Sequence, residues 1–344
     1  MVEAAVSLTA LRAAGWSGGD AVADRGEAIL LKQLIALGGK ADADAEVGPG
    51  DDAAAWLPPT GALVLWTTDT ISEDVDFRRR YQSPYQVGWK AWMAAVSDIS
   101  AMGARPRGGL VAASIPAQTS ARAVEAIQLG VVEAAAMDGA VVMGGDVGET
   151  AGPLTVTVTV MGEMADGRPV TLGGGSAGEA LIVTGELGLA AAALQMLERD
   201  EEGCPVSWRQ HLLEPRSRAS AGVALRRAGA TAMTDISDGL LLDLGRICQA
   251  SGTGADVWLD RLPTSDGVAS VAPSPEFALT GGEDFELLAA VPESLLKALL
   301  GGWTEKTAPL SVIGELTARP GVQLFQSRGG EPARLPATDG FRHF

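Results

Sequence analysis

The feature that most restricts this chain is an alternation of short apolar runs with longer helix-forming runs between residues 62 and 162. ALVLWTTDT, GLVAAS, AVVMGG and the strictly alternating LTVTVTVMG read as strands. Between them lie GWKAWMAAVSDISAMG and SARAVEAIQLGVVEAAAMDG, both of helical composition. Neither kind of segment can bury its apolar face alone. The order predicts layered helices and strands with a β–α–β rhythm, a mixed α/β (α+β) fold.

The first long helix is expected to start at Ser83-Pro84, a cap followed by proline at the first helical position. It should end near Gly103. Trp89, Trp92, Met93 and Val96 form its bulky side. Asp98 falls on a strip with Ala91, Ala94, Ala95 and Ala101, where a solvated face would carry longer polar side chains. A carboxylate among alanines predicts close approach by another chain segment or a ligand.

Upstream, residues 1–24 lack sustained periodicity and read as a short helix or loose arm, whereas EAILLKQLIAL reads as a helix. The acidic stretch from Ala41 to Gly61 reads as a turn-rich loop. Downstream, ALIVTGE, TAMTDIS, ADVWL and FELLAAV read as strands, and ELGLAAAALQMLE, DGLLLDLGRICQAS and ESLLKALL as helices. The glycine-rich stretch from Gly162 to Gly178 is the expected junction. The expected organisation is an arm (1–25), an N-terminal domain (26–164) and a C-terminal domain (165–344), in keeping with a length of 344 residues.

A net charge of −17 argues against a nucleic-acid surface, and no run of 18 apolar residues is present to span a membrane. Glu3 and a broken apolar start argue against a signal peptide. Cys204 and Cys248 share no metal or redox spacing, so disulfide and thiolate-zinc frameworks have no support and the cytoplasm is the expected compartment. His211 and His343 lie in neither an HExxH nor a GxSxG context and read as ordinary histidines.

Most of the 43 acidic residues need no explanation beyond solubility. Five groups do, because they sit in Gly/Ser/Thr-rich surroundings with few cations: Gly50-Asp51-Asp52, Thr67-Thr68-Asp69-Thr70, Ser97-Asp98, Gly144-Gly145-Asp146 and Asp235-Ile236-Ser237-Asp238-Gly239. Each alone reads as a turn or a cap. Their recurrence at expected strand and helix ends predicts a cation among them, and magnesium suits an all-oxygen donor set shared with phosphates. The helix expected after Asp238 adds amide groups able to receive a phosphate. Neither a Walker loop nor the protein-kinase motif set occurs.

Taken in order, GPGDDAA, TTDT, GWKAWMAAVSDISAMGARP, GGD, TDISDGLLLDLG, TGGEDFELL and the terminal GFRHF resemble the thiamine-monophosphate kinase family. The resemblance runs from about Gly26 to the end of the sequence; SDISAMGA is shared with the wider aminoimidazole-ribonucleotide-synthetase-like superfamily. It implies a two-domain α/β protein that dimerises through its N-terminal domains and uses ATP with several Mg²⁺ ions. It further implies Asp52, Thr67, Thr68, Asp69, Asp98, Asp146, Asp235 and Asp238 as metal ligands. Gly145, Asp146 and Ser237 would lie at the ATP, and Glu283 and Phe341 at thiamine monophosphate. The implied reaction is direct in-line transfer of the γ-phosphoryl group to the acceptor phosphate, which needs no histidine base.

Three departures stand out. Val75-Asp76-Phe77 replaces a V-H-F-like triplet on the substrate side, which makes Asp76 a candidate acceptor-side residue. Val147-Gly148-Glu149 follows Asp146 where Thr-Thr-Arg is usual, and Leu172 replaces an arginine near the ATP. A paralogous kinase with another phosphorylated acceptor, or a nucleotide-binding descendant without turnover, would keep the same acids; nucleotide binding without product separates the second from the first.

Overall fold

The computed structural model describes residues 7–38, 45–47, 53–199, 203–265, 267–271, 275–303, 308–337 and 340–341. The expected sites Gly50, Asp51 and Asp52, and His343, lie outside the described residues. The chain divides into two compact units, Met1–Val96 with Pro106–Asp166, and Ser97–Arg105 with Gly167–Phe344. The second unit thus takes the end of the first long helix, which the linear reading does not anticipate.

In the first unit, α1 (Leu8–Arg12), α2 (Val22–Arg25) and α3 (Glu27–Leu37) are followed by the short pair β1 (Ala45–Val47) and β2 (Ala55–Trp56). Then come β3 (Leu63–Ser72), α4 (Pro84–Ala101), β4 (Arg105–Pro116), α5 (Ala121–Met137), β5 (Val141–Thr150) and β6 (Thr155–Met164). β3 to β6 form a four-stranded sheet in the order β3-β6-β4-β5. β4 and β5 are parallel, as their helical crossover through α5 requires. β3 and β6 pair antiparallel. One face of the sheet packs on helices: Ile115 meets Leu30 and Leu34 of α3 and Ala121 and Val124 of α5.

The expected bulky side of α4 is buried at Trp92, Met93 and Val96. Small residues let it touch its neighbour. A Cβ on Gly88 would stand 1.8 Å from the Ile127 carbonyl oxygen, and one on Gly130 2.0 Å from the Tyr85 carbonyl oxygen. Each helix therefore presents a glycine to the other's backbone.

The second unit holds β7 (Ala180–Thr184), α6 (Leu189–Glu198), α7 (Val206–Leu213), α8 (Ala219–Arg227), β8 (Ala232–Ile236), α9 (Leu240–Ser251) and β9 (Gly254–Trp258). A 3₁₀ turn (Leu259–Arg261), α10 (Val268–Val271), α11 (Glu276–Thr280), β10 (Glu286–Val291), α12 (Glu293–Gly302), β11 (Leu310–Thr317), β12 (Gly321–Phe325) and β13 (Pro332–Ala333) complete it. Its sheet runs β13-β12-β9-β11-β7-β10-β8, so β8 is an edge strand bonded to β10. Leu181, Val183, Ile236, Leu240, Leu244, Leu288 and Ile313 share one core on the α9 side. α7, α8 and β11 carry weaker sequence signals, and their burial comes from neighbours distant in the chain.

One expectation needs correction. Asp146 and Asp69 lie inside β5 and β3 rather than at strand ends, because the ladders to β4 and β6 run on past them. Of the two readings of the N-terminal arm, the short helix is the one found (α1), and the described part of the arm is docked. Leu11 is buried, Val22 N–H donates to Thr119 O (2.9 Å), and Arg25 pairs with the buried Glu125.

The glycine contact between α4 and α5 predicts that Gly88→Ala and Gly130→Ala each lower stability by about 2–3 kcal/mol or more, since backbone cannot yield as a side-chain tip can. Gly245→Ala in α9, where a Cβ meets nothing within 4 Å, should instead raise stability by up to about 1 kcal/mol. Urea unfolding midpoints check both; an unaltered Gly88→Ala midpoint would remove the close helix contact.

Candidate active site

In the first unit the TTDT motif is split by the strand period of two. Thr68 and Thr70 point to the open face of the sheet, where their hydroxyls meet those of Thr159 (3.0 Å) and Thr157 (2.8 Å). Thr67 and Asp69 pair in register with Val160 and Val158 on the opposite, helix-packed face. Asp69 Oδ1 also accepts the Thr70 N–H at 2.7 Å. A single ion cannot take the side chains of all three expected ligands Thr67, Thr68 and Asp69 from this strand. Asp146 pairs in register with Ala112 and shares the open face with Thr68. A largely apolar cleft of about 1090 Å³ follows β4 and β5, and its lining includes Trp66, Leu110, Gly144, Gly145, Asp146 and Thr159.

Asp76 lies in the loop after β3. Its carboxylate accepts the Ser72 N–H at 2.8 Å, and its carbonyl accepts from Lys90 Nζ at 2.7 Å. The charge that replaces the expected histidine is therefore used within its own loop.

In the second unit the structure gathers residues widely separated in sequence. The Asp235–Gly239 segment joins β8 to α9. Ser237 O accepts the Glu283 N–H (2.8 Å) and Ile236 O the Phe285 N–H (2.9 Å), while Asp238 O accepts the Phe341 N–H (2.9 Å). Glu283 and Phe285 both hold positive φ, 65° and 49°, a backbone state that non-glycine residues adopt only under constraint. Ser237, Asp238, Glu283 and Phe341 thus belong to one locality, with Phe341 about half exposed.

Asp98 is the exposed position in an otherwise buried stretch of α4, and its charge acts on Asp235. Asp235 is 7% exposed. Burial, and next the Asp98 carboxylate, push its pKa up to about 7. Two carboxylates, one of them desolvated, repel each other; a hard divalent cation would relieve that repulsion. The donors fit magnesium in kind. Among the described residues no three His, Cys, Asp or Glu side chains converge as a metal site, so an ion here would draw further ligands from water and phosphate, as magnesium commonly does.

The amides that lead into α9 are taken up within the chain. Asp243 Oδ2 accepts the N–H groups of Ser237, Asp238 and Gly239 at 3.2, 3.1 and 3.1 Å. Its other oxygen accepts from Arg246 Nη1 (2.6 Å), and Arg246 also pairs with Asp238. Burial raises the Asp243 pKa to about 6, with Arg246 opposing and Asp238 adding to the rise. Sequence reasoning passed over Asp243 and Arg246; the signal was an acid and a base on one side of DGLLLDLGR.

The GGEDFEL acids also separate by task. Asp284 accepts the N–H groups of Gly188 (2.8 Å) and Ala190 (3.5 Å) at the start of α6, and burial holds its pKa well above the usual range. Glu286, fully buried, pairs with Arg218 and accepts from Thr184 Oγ1 at 2.5 Å. His211 lies 3.8 Å from Glu286, and burial lowers its pKa. Leu172, the position expected to be arginine, lies on the same unit, its carbonyl accepting from Ser251 Oγ.

The Asp98–Asp235 pair predicts that Asp98→Asn lowers the Asp235 pKa, read by carboxyl-carbon NMR titration of the metal-free protein. Because the folded pKa of Asp235 lies above its ordinary 3.8, its contribution to stability is present below about pH 4 and lost as pH rises through 7. That loss is on the order of 4 kcal/mol at most. Asp235→Asn should flatten the fall in stability over this window; an unchanged slope would sink the assignment.

Residues 50–164 match the family model described as AIR synthase related protein, N-terminal domain, and residues 176–326 match its C-terminal domain. The chain is 31% identical over 305 residues to a thiamine-monophosphate kinase of Bacillus subtilis, covering 87% of this chain and 94% of that protein. A crystal structure of thiamine-monophosphate kinase from Stenotrophomonas maltophilia K279a superposes with a TM-score of 0.78 at 32% identity, covering 87% of this chain and 96% of that one. A structure described as AaThiL complexed with AMPPCP and TMP gives 0.72 at 27% identity, covering 95% and 100%. The chain belongs to the thiamine-monophosphate kinase family of AIR synthase-related proteins, a family of phosphotransferases.

Proposed function

We propose that this protein transfers the γ-phosphoryl group of ATP directly to the phosphate of thiamine monophosphate, releasing ADP and thiamine diphosphate. The observation that carries the reading is the gathering of Asp98, Asp235, Ser237, Asp238, Glu283 and Phe341 within one unit of a chain whose relatives are thiamine-monophosphate kinases. The relative with bound AMPPCP, an ATP analogue, supports the nucleotide.

Asp98 and Asp235 would hold Mg²⁺ in the second unit, Asp238 would hold a further ion, and Asp69 and Asp146 are the candidate ligands in the first. Bound there, magnesium screens the charge of donor and acceptor phosphates and stabilises the charge that builds during transfer. The remaining work is positioning. Glu283, fixed at positive φ, offers a carboxylate to a cationic heterocycle, and the half-exposed Phe341 ring offers a flat surface to stack on it. Ser237 lies between two metal-type acids, suited to the nucleotide phosphates. The acceptor is a phosphomonoester with a second pKa of about 6, so an attacking oxygen is already ionised at neutral pH. One of its oxygens forms the new bond to the γ-phosphorus as the bond to the β-bridging oxygen of ATP breaks. No general base is required, and His211, tied to the Glu286 cluster, is not placed to serve as one.

The cleft along β4 and β5, with Gly145 and Asp146 in its lining, is the proposed nucleotide side. The open face of the same sheet exposes Trp66 (62%) and Leu110. Apolar surface of this kind, on a sheet otherwise built to be covered, supports a homodimer formed through that face. Among the described residues no helix is long and apolar enough to cross a membrane.

Incubation with Mg²⁺, ATP and thiamine monophosphate should give thiamine diphosphate and ADP in equal amounts. Asp69→Asn and Asp98→Asn should each lower kcat at least about 100-fold without unfolding the protein, the scale on which lost transition-state charge stabilisation acts. Full activity in either variant would take that residue out of the site. Light scattering should report a dimer for the native protein and a monomer for Trp66→Glu; a dimer in both would place the interface elsewhere.

A further inference from the structure

The N-terminal segment makes a specific contact with the loop that carries Asp76. The Trp16 ring stacks on Phe77 with centroids 6.1 Å apart and planes 7° from parallel. Its indole N–H donates to Gln82 O at 2.7 Å. The Arg79 guanidinium lies 4.6 Å from the Trp16 ring centroid and is held by Glu73, Nε to Oε1 at 2.6 Å and Nη2 to Oε2 at 2.8 Å. One side chain thus touches three separate points of the 73–82 loop.

Trp16 is itself anchored. Leu11 is 1% exposed, Arg12 pairs with Glu133 of α5, and the same carboxylate accepts from Tyr85 Oη at 2.8 Å. On the other side of Trp16, Gly18 O accepts from Ser120 Oγ (2.5 Å) and Asp20 O from the Ala121 N–H (2.9 Å). The loop is braced from within as well: Asp74 N–H donates to Phe77 O (2.8 Å), Asp76 N–H to Ser72 O (2.9 Å), and the 1%-exposed Lys90 to Asp76 O. Asp74 holds a positive φ of 66°. A loop with a strained residue and few buried apolar side chains of its own needs outside support to keep one conformation.

We infer that Trp16 is a positioning residue for the acceptor: the N-terminal segment uses it to hold the 73–82 loop in the shape that receives the acceptor's phosphate. The inference rests on the reading, given above, that the loop bearing Asp76 is on the acceptor side. Charge agrees with it. In a chain of net charge −17 this loop carries the consecutive Arg78, Arg79 and Arg80. An anionic acceptor is drawn to such a run, and Trp16 fixes the middle member. Arg78 Nη1 donates to Asp74 O at 3.1 Å, which ties the run to the strained turn. The acceptor thus meets a preorganised loop, and ordering it costs nothing at the moment of binding.

The test compares Trp16→Ala and Trp16→Phe in the full chain. Hydrogen exchange needs no turnover: Trp16→Ala should speed exchange of the Asp74 and Asp76 amides about tenfold, on the scale of one lost aromatic pair. Exchange in β6 should stay as in the native protein. Kinetically, KM for thiamine monophosphate should rise about tenfold while KM for ATP stays within about twofold. Trp16→Phe keeps a ring for Phe77 and Arg79 and should restore most of both effects. Unchanged loop exchange overturns the inference, as does an equal rise in both KM values, which would mark general destabilisation. Asp76→Ala separates the underlying reading: if it leaves the acceptor KM unaltered while Trp16→Ala still loosens the loop, the acceptor-side assignment fails and the contact stands.

Discussion

The second unit depends most on one buried carboxylate, that of Asp243. A loop that leaves an edge strand and enters a helix exposes several backbone N–H groups, and burying them unpaired is costly. Asp243 takes three of them on a single oxygen and gives the other to Arg246. With the amides of Ser237, Asp238 and Gly239 satisfied, the carbonyls of Ser237 and Asp238 are left to receive the Glu283 and Phe341 segments. The convergence of three distant stretches of chain follows from that one arrangement. The loop is a rigid support whose own amides are taken up by the Asp243 carboxylate.

The acidic residues therefore divide by what surrounds them rather than by motif. Asp243, Asp284 and Glu286 are buried and fully engaged with backbone amides or with arginine. They are scaffold. Asp98 is exposed, Asp235 is desolvated beside it, and Asp238 shares its charge with Arg246. These are the groups proposed to meet a cation. The replacement of histidine by Asp76 fits the same division. Its carboxylate closes its own loop at Ser72, so its negative charge is tied down within the chain.

Much of the fold was legible in advance. Residues 84–101 and 121–137 carry helical composition with clear stops, and TVTVTVMG alternates so strictly that one face had to be buried. The locality of the site was legible only in outline. Asp69 and Asp146 were read as strand-end residues, yet strands end where their partners end, and the partners of β3 and β5 are distant in sequence. Asp243 and Arg246 looked like surface residues of a helix because nothing in DGLLLDLGR says which way the preceding loop folds back. The docking of the arm was not legible because its anchors, Phe77, Glu125 and Glu133, are each more than sixty positions away from the residues they hold.

By itself the sequence determined the element types, the glycine-rich joint and the set of acids too concentrated to be explained by solubility, since periodicity, turn chemistry and charge density are local properties. Tertiary structure decided which acids remained available. A carboxylate becomes scaffold when amides or a guanidinium reach it and a candidate ligand when another carboxylate does, and only the folded chain settles which neighbour arrives.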